Sequence, residues 1–258
     1  MSESAIPLVS ERRHAILDLL RQEGRVLSGE LARVLGTSED TIRRDLREMS
    51  AEGLLRRVHG GALPCAPGVS PLAARLDQQG PEKQAIARAA ATLLRDGQTA
   101  ILDAGSSGVA LARLLRPDLR ATIFTNSLAA ALELQSHPSI EVILLGGVLD
   151  KDAGSTWGAA ALDALSRLQA DICFLGVCGL DPEVGFTSNR HEEAAVKRRM
   201  VERSASAVAL ATADKLGSAG PHVVVPAADL TRVVTGPDAP QRLVSRFEDL
   251  GIEVLFAD

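Results

Sequence analysis

The chain has 258 residues, a formal net charge of −5, and 46% hydrophobic against 24% charged residues, an ordinary globular balance that can bury a sizeable core and a length that suits two compact domains or one large one. Aromatic residues make up 2%, with no tyrosine and one tryptophan, Trp157; this argues against recognition of single strands by base stacking. The charge is uneven, because residues 8–63 hold 10 Arg and 9 acids (+1) while the rest holds 18 basic and 24 acidic residues (−6), so DNA contact suits one end only.

Cys65, Cys173 and Cys178 are odd in number and form no C-x-x-C pair, so they read as reduced packing residues, and no metal or cofactor is expected. The first residues show no basic segment followed by an apolar one, so no secretory leader is expected. No apolar stretch approaches the roughly 18 residues of a membrane span. A cytoplasmic location and no membrane partner follow as expectations.

Helical spacing begins near Ser10. Ile16, Leu17, Leu19 and Leu20 form its apolar stripe and Gly24 its stop. Ser28 is placed as the N-cap of a short second helix carrying Leu31, Ala32 and Leu35, and Gly36 as the left-handed residue after it. Ser38 caps a third helix, with Glu39 and Asp40 in its first turn. At about 100° per residue, Ile42, Leu46 and Met49 share one narrow stripe of that helix, and Arg43, Arg44 and Arg47 lie opposite, with Asp40 among them. Such a helix fits the major groove, where Arg pairs with guanine and phosphate, and Thr41 sits near its N-terminal end. A solvated basic face is the plain alternative, but two short helices, a tight turn and the Arg-faced third helix together favour DNA. Residues 54–61 then read as a strand ending in a glycine turn, a wing presenting Arg56, Arg57 and His59 to the DNA backbone.

The stretch from Thr37 to Leu46 (TSEDTIRRDL), followed by Gly53 to Ala62 (GLLRRVHGGA), resembles the signature of the DeoR family of bacterial regulators. That resemblance implies a winged helix-turn-helix and a repressor of sugar-utilisation genes.

Residues 64–71, with three prolines and a glycine, read as a linker between a winged helix-turn-helix domain at 8–63 and a second domain at 72–258. Beyond it, candidate strands at 99–103, 122–125, 141–145, 172–177, 207–211, 232–235 and 253–256 alternate with candidate helices at 82–95, 107–116, 127–136, 158–168, 191–204 and 239–249. The alternation predicts an α/β domain, a doubly wound, mostly parallel sheet with helices on both faces, whose ligands bind at the carboxyl ends of strands.

Several strand ends carry suitable chemistry. Asp103, Gly105, Ser106 and Ser107 lead into a helix and suit a phosphate or carboxylate. Thr125, Asn126 and Ser127 also precede a helix, Gly146 and Gly147 end the third strand, and Lys215 follows the fifth. Each alone is more often a turn or cap; together they predict a crevice.

The resemblance continues through this half: Asp103 to Ser107 resembles the family's Asp-x-Gly-Thr-Thr loop, and TNSL from Thr125, LLGG from Leu144, GLD from Gly179 and EAAVK from Glu193 also match. It implies a sensor similar in fold to ribose-5-phosphate and glucosamine-6-phosphate isomerases and a phosphorylated sugar as effector. Ser106 and Ser107 would hold phosphate, with Asp181, Lys197 and Lys215 at the sugar end. Ser-Ser replaces Thr-Thr, Asp214-Lys215-Leu216-Gly217 replaces the common Ser-Lys-Phe-Gly, and 181–193 looks unlike the family. For Lys197 a solvated helix shared with Arg198 and Arg199 is the competing reading.

Two functions follow. A regulator would bind double-stranded operator DNA as a symmetric homo-oligomer and change affinity with its effector, the expected sign being release. The alternative, a sugar-phosphate isomerase, needs a general base, for which Asp181 and Glu193 are the candidates.

Overall fold

The computed structural model describes residues 8–68, 70–78 and 80–258. In the first unit α1 (Val9–Glu23) ends at a left-handed Gly24, and β1 (Val26–Leu27), α2 (Ser28–Val34), α3 (Glu39–Ala51), β2 (Arg56–Val58) and β3 (Gly61–Leu63) follow. The three strands pair antiparallel in the order β1-β3-β2, so the wing is a full sheet rather than the single strand expected. Ile16, Leu20, Leu31, Ile42, Leu46 and Met49 close the core beneath it. Ser28 does not cap α2. Leu27 occupies the N-cap position because β1 runs up to it, and Ser28 is buried with its N–H donated to the Gly60 carbonyl at 2.8 Å.

The second unit opens with α4 (Leu72–Asp77) and α5 (Pro81–Ala91). Then come β4 (Thr99–Leu102), α6 (Ser106–Leu114), β5 (Ala121–Thr125), α7 (Leu128–Leu134) and β6 (Ile140–Leu144). The hairpin β7 (Val148–Asp150) and β8 (Ser155–Trp157) precedes α8 (Ala159–Ser166) and β9 (Ile172–Gly176). After β10 (Gly179–Asp181) and β11 (Gly185–Ser188) the chain runs through α9 (His191–Glu202), β12 (Ala207–Leu210), β13 (His222–Val225), β14 (Arg232–Thr235), α10 (Gln241–Asp249) and β15 (Glu253–Phe256).

The seven expected strands are the seven strands of one parallel sheet, ordered β15-β14-β12-β9-β4-β5-β6. Parallel strands are covered on both faces and so read as continuous apolar runs. One face carries α5, α6 and α7 around Ile86, Val109, Leu111 and Phe174; the other carries α8, α9 and α10 around Leu165, Met200, Val244 and Phe247. The chain leaves β4 for β5 and β6 on one side, then returns to place β9 on the other. The strand order therefore reverses between β4 and β9, and such a switch point opens a crevice at the carboxyl ends of the strands.

The expected linker forms no regular element at its described residues (Val69 lies outside them), yet it is tied to the second unit: the Ala66 N–H donates to the Ala219 carbonyl at 3.1 Å, and the Ala219 N–H to the Pro64 carbonyl at 3.3 Å. The three cysteines are free; burial pushes the Cys173 thiol up to about 12, the mark of a packing residue. Among the described residues no helix is long and apolar enough to cross a membrane.

Candidate DNA-binding face and effector cleft

The third helix begins as its sequence demands. Ser38 Oγ accepts the Thr41 N–H at 3.1 Å and lies 2.8 Å from Thr41 Oγ1, so both hydroxyls are engaged at the helix start. Ile42, Leu46 and Met49 are buried, and Arg43, Arg44 and Arg47 are exposed. Two of the three arginines are partly neutralised by their own helix: Arg43 pairs with Glu39 at 2.7 Å and with Asp40 at 3.6 Å, and Arg44 with Glu48 at 3.3 Å. Arg47 forms no ion pair among the described residues. On the wing, Arg57 and His59 are exposed, and they share one groove with Arg43. Arg56 points elsewhere, donating from Nη2 to the Pro221 carbonyl at 3.3 Å.

One residue that the helical wheel did not single out secures this helix. Asp45 is buried and receives a two-pronged hydrogen bond from Arg12 of α1, with Nη2 to Oδ1 at 3.1 Å. That bond, more than offsetting the burial that opposes it, raises the Arg12 guanidinium above its ordinary value. Asp45 lies at the margin of the apolar stripe.

The cleft lies at the switch point. Its wall is made by Ala104, Gly105, Ser106 and Ser107 after β4, by Gly176 at the end of β9 with Val177 and Cys178 after it, and by Leu210 at the end of β12 with Thr212 and Lys215 after it. Its cavity volume is about 90 Å³, below the roughly 300–1,000 Å³ of sites that take drug-sized ligands. Gly105 has φ +140°, a conformation closed to L side chains, and is the N-cap of α6, so the start of that helix, with Ser106 and Ser107, lines the cleft. Arg75 of α4 hangs over this turn, its Nη1 3.7 Å from where a Gly105 Cβ would stand. Arg75 Nε is buried with no hydrogen-bond partner among the described residues.

Lys83 of α5 and Lys215 complete a cationic rim. Glu82 accepts the Ala213 N–H at 2.8 Å, which holds the Lys215 turn against the start of α5. Burial, then the nearby charges of Lys215 and Arg75, lower the Lys83 ammonium below its ordinary value. A group of cations that repel one another around a glycine turn suits an anion.

The floor of the cleft is different. Lys197 is buried, so the solvated-helix reading of it is overturned: α9 faces the sheet at this point. Its ammonium pairs with Asp103 and with Glu193 at 3.2 Å, and donates to the Gly176 carbonyl at 2.7 Å. Burial opposes the charge on Lys197, but the two carboxylates outweigh it and hold it protonated. Asp103 also accepts the Gly176 N–H at 3.0 Å and thereby ties β4 to β9; burial raises its carboxyl. Glu193 accepts the Ser188 hydroxyl at 2.7 Å, and Lys197 and that bond hold its carboxyl below the ordinary value despite burial.

Of the candidate residues, Gly105, Ser106, Ser107, Lys197 and Lys215 line the cleft and Asp103 lies beneath it. Thr125, Asn126 and Ser127 support it from behind. Thr125 Oγ1 donates to the Leu102 carbonyl at 2.6 Å, Asn126 Oδ1 accepts the Ala104 N–H at 3.0 Å, and Ser127 Oγ accepts the Ala130 N–H at 3.2 Å to cap α7. Gly146 and Gly147 are exposed and do not line it. A Cβ at Gly147 would lie 2.2 Å from the Trp157 carbonyl, so this glycine serves the β7–β8 hairpin. Asp181 is buried in another turn, where Oδ1 accepts the Glu183 and Val184 N–H groups, both at 3.0 Å. Arg75 and Lys83 were missed, because α4 and α5 are brought to the rim by tertiary packing and nothing in their neighbouring sequence marks them; Thr212 was missed although it stands at the same strand end as Lys215.

Comparison with known proteins agrees with both halves. The model of the DeoR-like helix-turn-helix domain matches residues 12–67, and that of the DeoR C-terminal sensor domain residues 78–237. The HTH-type transcriptional regulator GolR of Listeria innocua is 34% identical over 250 residues, covering 96% of this chain and 98% of that protein. The glycerol-3-phosphate regulon repressor of Escherichia coli K12 is 33% identical over 209 residues, covering 81% and 83%. A ribose 5-phosphate isomerase from Methanocaldococcus jannaschii superposes with a TM-score of 0.39 at 17% identity, over 52% of this chain and 53% of that one, a likeness too slight to bear on chemistry. The chain belongs to the DeoR family of helix-turn-helix transcriptional regulators.

Proposed function

We propose that the chain is a repressor of carbohydrate-metabolism genes whose operator affinity falls when a phosphorylated sugar or related small anion enters the cleft. The supporting observation is the convergence of Arg75, Lys83 and Lys215 on the Gly105–Ser107 turn at the switch point of the sheet. The ligand's phosphate would lie among these cations and the first N–H groups of α6, and its hydroxyls would reach Glu193 on the floor. A relative named for the glycerol-3-phosphate regulon supports this ligand class. The DNA-binding residues would be Ser38, Thr41, Arg43, Arg44 and Arg47 on α3 with Arg57 and His59 on the wing, and Asp40 would tune Arg43. Residues 8–63 would serve as the operator-binding domain and 72–258 as the sensor. A homo-oligomer acting in the cytoplasm on a symmetric site completes this reading.

The cleft acts in this reading as a receptor rather than a catalyst. A general base works best with a pKa near the operating pH. Glu193 is engaged by Lys197 and Ser188 and held low, and Asp181 does not line the cleft. Calorimetric titration of the full-length protein with a panel of sugar phosphates and the matching free sugars tests the site. At least one phosphate ester should bind, its free sugar should not, and Lys215→Ala should weaken binding tenfold or more. Equal binding of ester and free sugar would refute the anion site.

A further inference from the structure

The cleft is not walled by the sensor alone. Pro67 and Gly68, from the segment that leaves the wing, line it beside Arg75, Lys83, Thr212 and Lys215. Only residues 64–66 separate that wall from the end of β3, the wing strand whose three residues are all buried. The segment is fastened along its length. Cys65 Sγ donates to the Gly53 carbonyl at 3.5 Å, Ala66 and Pro64 pair with Ala219, and Asn189 Nδ2 donates to the Pro67 carbonyl at 3.3 Å. A second run takes the same course. It begins at Lys215 in the cleft, meets the first at Ala219, and ends at Pro221, whose carbonyl accepts Arg56 of the wing. Space is tight where the runs meet: a Cβ at Gly179 would stand 2.8 Å from the Ser218 carbonyl and 3.1 Å from Ala66 Cβ.

We propose that residues 64–68 and 215–221 form a paired strut that carries the state of the cleft to the wing. An anion that draws Lys215 and the Pro67–Gly68 wall inward displaces both runs together, because Ala219 joins them. Their far ends are β3 and the carbonyl that holds Arg56, so the displacement re-aims Arg57 and His59 relative to α3. Closely packed elements transmit such small shifts rather than absorb them. The strut rests on the reading of the cleft as an anion site, and it adds the residues that couple that site to DNA. Asn189 is the clasp: it neither lines the cleft nor lies on the DNA-binding face, but it holds Pro67 in place.

The test uses the full-length chain, operator DNA, and ribose 5-phosphate, glucosamine 6-phosphate and inorganic phosphate as probes, with calorimetry for probe binding and anisotropy for DNA. Asn189→Ala and Ala66→Pro, which deletes the Ala66 N–H, should each keep probe affinity and unliganded operator affinity within about twofold. Each should cut the probe-induced change in operator affinity at least fivefold. An undiminished change in both variants would overturn the strut. If no probe binds the wild-type chain, the anion reading fails by itself and the strut is still read from DNA alone, because coupling is reciprocal. Operator binding should then slow amide hydrogen exchange at Ala66, Gly217 and Ala219 at least fivefold in the wild type and not in Asn189→Ala. Exchange there that ignores operator would overturn it equally.

Discussion

Lys197 and Asp103 meet beneath the cleft as an ion pair whose side chains are 1% and 2% exposed. Removing one partner leaves the other charge buried, which costs about 3–5 kcal/mol, whereas replacing both with apolar groups is often close to neutral. Lys197→Met should therefore lower unfolding free energy by about that amount, and Lys197→Met with Asp103→Leu should recover part of it, the rest being the cost of leaving Glu193 and the Gly176 N–H and carbonyl without these partners. Denaturant titration of the three proteins reads the outcome, and a single variant within about 1 kcal/mol of wild type would show that the pair is dispensable.

The carboxyl of Glu193 supplies a pH dependence with a definite sign. Burial would raise it, but Lys197 and Ser188 outweigh that and set it below its unfolded value. A depressed acid contributes stability that is present above the unfolded value, about 4.3, and is lost as pH falls through the folded one. Ser188→Ala should shrink the acid-side loss of stability, measured by denaturant titration at a series of pH values. A profile identical to wild type would remove Glu193 as its source.

Lys83 points the other way and through the ligand. Burial and two neighbouring cations lower its ammonium. A bound phosphate favours the protonated form, so affinity should decline as pH rises through the lowered value, setting in below about 10.4. Lys83→Arg, charged throughout, should flatten that decline. Calorimetry with ribose 5-phosphate between about pH 7 and pH 10 checks it, and a flat wild-type profile would contradict the placement of Lys83 at the phosphate.

Each arginine of α3 should weigh differently. Arg47 has no carboxylate to leave, while Arg44 must be drawn from Glu48. Arg47→Ala should cost about 1–3 kcal/mol if it reads a base, or lower the salt slope by about one if it meets phosphate. Glu48→Ala should tighten operator binding by freeing Arg44. Unchanged binding of Arg47→Ala at every salt concentration would rule out both a base and a phosphate contact for Arg47.

Much of this was legible along the chain, for a physical reason. Strands of a parallel sheet are buried on both sides, so β9 and β12 stand out as apolar runs whatever surrounds them. The recognition helix was legible because a single face of 13 residues separates Ile42, Leu46 and Met49 from three arginines. The short antiparallel strands β7, β8, β10 and β11 were not, because polar residues and glycines interrupt them (VLD, STW, GLD and GFTS) and no continuous apolar run marks them. The cleft was half legible. Its glycine turn announces itself, while Arg75 and Lys83 reach it only because α4 and α5 pack across the strand ends. Asp181 misled for the opposite reason: its family-like GLD context marks a buried turn.

Control of DNA binding through the cleft is measured by anisotropy of a labelled fragment from upstream of the protein's own gene, titrated with the full-length chain in the presence and absence of each sugar phosphate. Binding should be tight and salt-dependent, and at least one phosphate ester should weaken it tenfold or more, with the weakening lost in Lys215→Ala while unliganded binding stays intact. Operator binding indifferent to every phosphate ester, or weakened equally in Lys215→Ala, would contradict control of DNA binding through the cleft.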